Sequence, residues 1–76
     1  MEEHLAEHLL DERLTDRELE VLRLMMAGNC THAVADCLLI SKETVKAHVK
    51  HVFEKLGVAN RTEAITIALR RGLIQV

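Results

Sequence analysis

The segment 41–57, SKETVKAHVKHVFEKLG, contains the pattern that decides the fold of this chain. Its apolar residues recur every three or four positions, which places them on one face of an α-helix: Val45, Val49, Val52, Phe53 and Leu56. Ser41 is a favourable cap for the start of this helix, and Gly57 is a typical stop. A separate cationic face, which we call the lysine ridge, is formed by lysines spaced four residues apart: Lys42, Lys46 and Lys50.

The segment LTDRELEVLRLMMAG, residues 14–28, predicts another helix with clearly marked ends. Thr15 and Glu18 have the spacing of a capping box, and Gly28 is the stop signal. The inward face of this helix is expected to comprise five apolar residues: Leu19, Val21, Leu22, Met25 and Met26.

Two more helices complete the predicted domain. Thr31 is expected to cap a short helix in CTHAVADCLLI, and Asn60 with Glu63 is expected to form a capping box before RTEAITIALRR, which closes at Gly72. No segment of any length alternates as a strand would. The sequence therefore predicts an all-α fold, a compact domain of four helices.

Length and charge limit the classes of protein to consider. The chain has 76 residues and a formal net charge of −2, which supports one small domain with little room for a deep catalytic pocket. Residues 1–13 are an acidic segment, interpreted as a linker or an N-terminal arm that is either helical or disordered, and residues 14–76 are the predicted domain. The acidic start differs from the basic start of a secretory signal, and no apolar run approaches the roughly 20 residues that span a bilayer. We expect a cytoplasmic protein without a membrane partner.

The cysteine and histidine patterns do not predict a metal or catalytic site. Cys30 and Cys37 are expected to be reduced and buried, because a helix would separate them by roughly 10 Å, too far for a disulfide. Together with His32 they lack the paired C-x-x-C of a zinc site. The segment HLAEH, residues 4–8, matches the H-x-x-E-H spacing of some zinc proteases but has no evident further ligand. The sequence therefore predicts no metal, no cofactor and no enzymatic activity.

A short helix, a tight turn and a longer helix are the arrangement of a helix-turn-helix motif. In this motif the second helix lies in the major groove of DNA, with residues near its N-terminal end on the base edges. The lysine ridge belongs to that second helix, and a polyanion would supply its counter-charge. Ala47 lies within the ridge, where a small side chain lets the backbone approach the bases.

Three stretches, LTDRELEVL, ISKETVKAHVKHVFEKLGV and RTEAITIALRRGLI, resemble the LuxR/GerE family of bacterial DNA-binding domains. The resemblance spans residues 14–74 without gaps. Within that family, the chain is similar to the C-terminal output domains of NarL/FixJ-type response regulators. It implies a four-helix domain whose second and third helices form a helix-turn-helix. Sequence-specific binding of double-stranded DNA in bacterial transcription regulation is then the expected function, with residues 42–56 as the recognition helix in the major groove.

The resemblance also implies contact residues, position by position. The base-facing positions are three: Lys46, Ala47 and Lys50. The expected phosphate contacts are five: Lys42, Thr44, His51, Lys55 and Arg61. In the second helix the family usually has Ser-Asn-Lys-Glu-Ile-Ala where this chain has CTHAVA, so the usual lysine is His32 and the glutamate is Ala33. This departure weakens the phosphate contact expected from that helix, because histidine carries less charge than lysine at neutral pH.

The fourth helix of the family commonly pairs two copies on DNA. Here its outward face is expected to be a dimer contact: Glu63, Thr66, Ile67 and Arg70. Ile67 is expected to be an isolated exposed apolar residue on that face. The expected partners are double-stranded DNA, a second copy of the chain and, through the resemblance to transcription regulators, RNA polymerase.

The sequence leaves one alternative of another class. A small helical adaptor could dock its basic helix and its fourth-helix face on an acidic protein. Single-stranded nucleic acid is disfavoured, because Phe53 is the single aromatic residue and is assigned to the core. A steep loss of affinity with salt would distinguish DNA binding from the adaptor function.

Overall fold

The computed structural model describes residues 14–75, which form four helices and no strand. The helices are α1 Asp16–Met26, α2 Thr31–Leu38, α3 Lys42–Leu56 and α4 Arg61–Arg70. Helix α3 packs against each of the other three, and α1 also contacts α2 and α4. The predicted all-α fold is confirmed. Within the described range, no helix is both long and apolar enough to cross a membrane.

Side-chain caps fix the start of α1 and of α3. The Thr15 hydroxyl accepts from the Glu18 N–H at 3.1 Å, and the Glu18 carboxylate accepts from the Thr15 N–H at 2.9 Å. This reciprocal pair confirms the predicted capping box. At α3 the Ser41 hydroxyl accepts from the Thr44 N–H at 3.1 Å, which confirms the predicted cap. Both caps depend on residues three apart, so their sequence signal is local.

The starts of α2 and α4 differ from the prediction. Helix α2 already begins at Thr31, and its cap is Cys30, whose backbone is extended and whose side chain makes no capping hydrogen bond. The prediction that Thr31 is the cap is therefore wrong. At α4 the Asn60 side chain accepts from the Glu63 N–H at 2.9 Å as predicted. The Glu63 carboxylate, however, accepts from the Ala59 N–H at 2.9 Å and does not close a capping box with Asn60.

Two apolar clusters fill the interior. One lies between α1, α3 and α4 and includes the C-terminal segment: Leu22, Val52, Leu56, Ala64, Ala68 and Ile74. The other lies between α1, α2 and α3: Val21, Met25, Val34, Ala35 and Val45. Phe53 is half-buried and packs against both clusters. Helix α3 contributes to both clusters, so the interior fixes its orientation while its other face stays at the surface.

Both cysteines are exposed, and the prediction that they are buried is wrong. Cys30 precedes α2, and Cys37 lies on a helix whose inward positions are occupied by Val34 and Ala35. Both thiols are free, in agreement with the predicted reduced state.

All four helices end with the same pair of backbone hydrogen bonds. At the end of α2, the Ile40 N–H donates to the Ala35 carbonyl and the Leu39 N–H donates to the Asp36 carbonyl, at 3.1 and 3.4 Å. This is a Schellman motif, which needs one residue in the left-handed conformation. The residues in that conformation are Gly28, Leu39, Gly57 and Gly72. Leu39 is the one non-glycine residue among them.

Candidate nucleic-acid interface

The lysine ridge lies on the exposed face of α3. Its three lysines and Ala47 are all exposed, whereas Val45 and Val52 on the inward face are 1% and 0% exposed. Within residues 14–75, no carboxylate forms an ion pair with any of the three ammonium groups. Like charges at this spacing repel by a few tenths of a kcal/mol. The ridge therefore presents positive charge that no carboxylate of the described residues pairs with.

A groove of about 290 Å³ lies beside the ridge, where the starts of α2 and α4 meet α3. Its polar lining consists of Thr31, Lys46 and Arg61, and its apolar lining consists of Met25, Val49 and Phe53. Two cationic side chains and a hydroxyl around one concave surface suit the oxygens of a phosphate group. Lys46 and Arg61, which the resemblance assigned to different kinds of contact, both line this groove.

Thr31 was not among the predicted contact residues. The signal that could have identified it is its place at the start of α2, where backbone N–H groups without partners attract anions. Because Thr31 was predicted to be a helix cap, it was not also predicted to be a contact residue.

The start of α3 carries a pair of hydroxyl groups. Thr44 is exposed, and its hydroxyl oxygen lies 2.9 Å from that of Ser41. Because Ser41 also caps the helix, the Thr44 side chain is held at the first turn, close to the positive end of the helix dipole. This position favours contact with an anion.

The C-terminal half of α3 is tied to α1 through Glu18. The Lys55 ammonium nitrogen lies 2.9 Å from Oε1 of Glu18, and the Lys55 side chain is 23% exposed. His51 Nδ1 lies 3.9 Å from Oε2 of the same carboxylate, and the His51 side chain is 55% exposed. Two of the predicted phosphate contacts therefore face a buried acid of this chain.

The Glu18 carboxylate is ionised more easily than an ordinary glutamate. Burial is the largest single influence and raises its pKa, but the Lys55 hydrogen bond, the Thr15 N–H and the charges of Lys55 and His51 together outweigh burial. The pKa of Glu18 is therefore lowered. A negative charge is stable at this position because it is paired and hydrogen-bonded.

His32, at the position of the usual lysine of the family, faces an acid on its own helix. Its Nε2 lies 3.3 Å from Oδ2 of Asp36, and both side chains are mostly exposed. The neighbouring carboxylate reduces the attraction of this part of α2 for phosphate. The replacement of the usual lysine by His32 is therefore accompanied by a nearby negative charge, that of Asp36.

Cys30 lies at the start of α2, where the backbone lowers the pKa of its thiol. The Ala33 N–H is the largest influence, followed in the same direction by the His32 N–H, with a smaller contribution from the charge of Arg61. The thiol is exposed, so reagents have access to it. Arg61 is also part of the groove lining, which places the thiol close to that groove.

The predicted dimer face of α4 is only partly as expected. Glu63, Thr66 and Arg70 are exposed. Ile67 is half-buried and packs against the first apolar cluster, so the prediction of an isolated exposed residue is wrong. A shallow groove of about 350 Å³ follows this face, lined by Gly57, Val58, Thr62, Glu63, Thr66 and Ile67.

The candidate metal ligands of the described part of the chain do not form a metal site. Within residues 14–75, no group of three or more His, Cys, Asp or Glu side chains is arranged to hold a metal ion. The segment HLAEH, residues 4–8, lies outside the described residues.

Residues 12–68 match the family described as bacterial regulatory proteins, luxR family. The chain belongs to this family. The resemblance inferred from the sequence motifs is thereby confirmed. Within the LuxR family, the chain is 41% identical to an uncharacterized transcriptional regulatory protein, YxjL, of Bacillus subtilis over 66 residues, which are 87% of this chain and 30% of that protein. It is also 41% identical to the response regulator protein VraR of Staphylococcus aureus, over 87% of this chain and 32% of that protein.

Two solved structures have the same fold. The transcription factor GerE superposes with a TM-score of 0.78 at 37% identity, over 82% of this chain and 92% of that one. The response regulator ChrA, of a heme-sensing two-component system, superposes with a TM-score of 0.79 at 45% identity, over 82% of this chain and 31% of that one. The chain thus spans less than a third of the length of YxjL and about the same share of ChrA.

Proposed function

We propose that this LuxR-family domain binds double-stranded DNA sequence-specifically in transcription regulation, with α3 as the recognition helix in the major groove. One observation carries the proposal: the lysine ridge is exposed and unpaired within the described residues, on a helix whose other face is fixed in both apolar clusters. A rigid helix with cationic side chains along one face suits the width of the major groove. The names of YxjL and VraR, as regulators, support the same function.

Base reading is assigned to Lys46, Ala47 and Lys50. The ammonium groups of the two lysines donate to the O6 and N7 acceptors of guanine, and the methyl group of Ala47 contacts a thymine methyl. All three side chains are exposed on the ridge side of α3. The small side chain of Ala47 lets the helix backbone lie close to the base edges.

Phosphate contacts position the domain on the duplex. Lys42 and Thr44 supply them at the start of α3, and Arg61 supplies one from the groove that it shares with Thr31. His51 and Lys55 lie further along α3, where Glu18 offsets part of their charge. We assign these two residues a smaller share of the binding energy than Lys42 and Arg61.

A salt titration tests the proposal. Duplexes bound by the chain would be selected from a random pool, and affinities for the selected and a scrambled duplex would be measured by fluorescence anisotropy at increasing salt. We expect the selected duplex to bind more tightly, with an affinity that falls steeply with salt, by a slope of about 0.9 in logarithmic units per phosphate neutralised. Equal affinity for both duplexes, or an affinity that salt does not change, would contradict the proposal and favour the adaptor function.

We further propose that two copies of the domain pair through α4 on DNA. The face formed by Glu63, Thr66 and Arg70 with the edge of Ile67 is small, so pairing is expected to be weak without DNA. Val58 and Ile67 give its groove an apolar lining that a second copy can cover.

Thr66→Lys tests pairing without disturbing the core, because Thr66 is exposed whereas Ile67 also packs inside. We expect this variant to lose cooperative binding to duplexes with two half-sites while keeping its affinity for one half-site. Gln75→Lys adds the same charge at another exposed residue and serves as the control. Unchanged cooperativity in Thr66→Lys would exclude this face from pairing.

A further inference from the structure

Glu18 is the one charged residue that is buried within the described range, with 4% of its surface exposed. Its cap to the Thr15 N–H needs only one acceptor oxygen, and a glutamine could supply that oxygen. The cap therefore does not require a charge, although a carboxylate in the first turn of α1 also suits the positive end of the helix dipole. The charge faces α3, where Lys55 and His51 approach the same carboxylate at 2.9 and 3.9 Å.

The ion pair gives α3 two electrostatically different halves. The exposed lysine ridge has no carboxylate partner among the described residues, whereas the ammonium group of Lys55 is matched by a full negative charge at hydrogen-bond distance. A neutralised lysine adds little to the attraction for phosphate, because the nearby carboxylate repels the same phosphate. Attraction along α3 is therefore concentrated where the bases are read.

We propose that Glu18 is a specificity-determining residue: by neutralising Lys55 and positioning it with His51, it limits the sequence-independent affinity for DNA. The inference rests on the proposed DNA binding. Phosphate attraction is the same for every sequence, so additional net positive charge on this part of α3 would strengthen binding to any duplex and would not improve discrimination. Glu18 reduces this sequence-independent contribution to the affinity without contacting the lysine ridge.

Glu18→Gln removes the charge and keeps an oxygen for the cap. We expect this variant to bind both the selected and a scrambled duplex more tightly than the wild type at low salt. The salt dependence should become steeper, by up to about 0.9 in logarithmic units, which is the contribution of one phosphate. A variant with unchanged or weaker affinity and an unchanged salt slope would overturn the inference.

Glu20→Gln is the matched control. Glu20 lies on the same helix, is exposed and pairs with Arg17 at 3.6 Å, so its removal changes the net charge equally without removing a carboxylate that pairs with α3. We expect it to leave the salt slope close to that of the wild type. A steepening equal to that of Glu18→Gln would reduce the effect to net charge and overturn the inference.

The double variant Glu18→Gln with Lys55→Gln keeps the inference testable if the single variant fails to fold. It replaces the ion pair by a neutral pair that can still hydrogen-bond. If the pair is self-neutralised in the wild type, the double variant should have the wild-type salt slope. If Lys55 instead binds a phosphate directly in the wild type, the slope should fall by about 0.9, and the inference is wrong.

The two proposals fail differently. If the wild-type chain binds selected and scrambled duplexes alike, or does not respond to salt, DNA reading itself is refuted. If the wild type discriminates between the duplexes and responds steeply to salt while Glu18→Gln leaves the slope unchanged, only the role of Glu18 is refuted.

Discussion

Leu39 ends α2 in the same left-handed backbone conformation in which Gly57 ends α3, with φ angles of 59° and 70°. The two residues occupy equivalent places in Schellman motifs, but leucine has a Cβ that this conformation disfavours by roughly 1–2 kcal/mol. The Leu39 side chain is 90% exposed, so it gains little from packing in return. The turn of the helix-turn-helix is therefore a local weak point in the stability of the domain.

Leu39→Gly should stabilise the domain. Glycine relieves the left-handed strain but has greater freedom in the unfolded chain, so we expect a net gain of about 0.5–1 kcal/mol in the free energy of unfolding. Urea denaturation monitored by circular dichroism would measure it. Ala33→Gly, inside α2, is the control and should destabilise by a similar amount. A loss of stability in Leu39→Gly would mean that the exposed side chain contributes more than its conformation costs.

Lys46→Ala and Lys50→Ala should each weaken binding to the selected duplex by about 1–3 kcal/mol and relax the base preference at one position. The reason is that losing a contact to a base edge lowers the affinity only for duplexes that have that base at the contacted position. Lys42→Ala, at the first residue of α3, should instead weaken binding evenly across sequences. Affinities of the three variants for a panel of single-base substitutions would separate the two patterns. Uniform losses for all three variants would contradict the base-reader assignment.

The Glu18 ion pair should make the free energy of unfolding depend on pH. Because the pKa of Glu18 in the folded chain is lowered from 4.5, the charged form stabilises the fold above about pH 4.5, and this contribution is lost as the pH falls through the lowered value. Glu18→Gln should therefore be less stable than the wild type at pH 7, and the difference should shrink toward pH 3. Urea denaturation at both pH values would test this. A difference that does not change with pH would show that the charge of Glu18 is not the source.

Cys30 should react with iodoacetamide faster than Cys37 at pH 7.5. The Ala33 N–H, then the His32 N–H and the charge of Arg61 lower the pKa of the Cys30 thiol, so more of it is thiolate, while both thiols are exposed. Mass spectrometry of the peptides after short labelling would give the two rates. Arg61→Gln should slow the reaction of Cys30 slightly and leave Cys37 unchanged. Equal rates for the two cysteines would show that the start of α2 does not activate the thiol.

The sequence by itself determined the helices and most of their ends. Apolar spacing is set by the geometry of one helix, and the caps at Thr15 and Ser41 join residues only three apart, so both signals lie within a short window. Where two adjacent residues could begin a helix, as at Cys30 and Thr31, this local signal did not decide between them. The lysine ridge was predictable for the same reason, because it lies on a single helix.

Only the tertiary structure decided which side chains meet across helices. Glu18 and Lys55 are 37 residues apart, and no local pattern indicates that a capping glutamate also neutralises a lysine of α3. The half-burial of Ile67 and the groove that Thr31, Lys46 and Arg61 line together likewise depend on how helices pack. Burial and long-range charge pairing follow from the relative placement of the helices. The two apolar clusters that the helices share fix this placement, whereas the spacing of apolar residues along any single helix does not determine it.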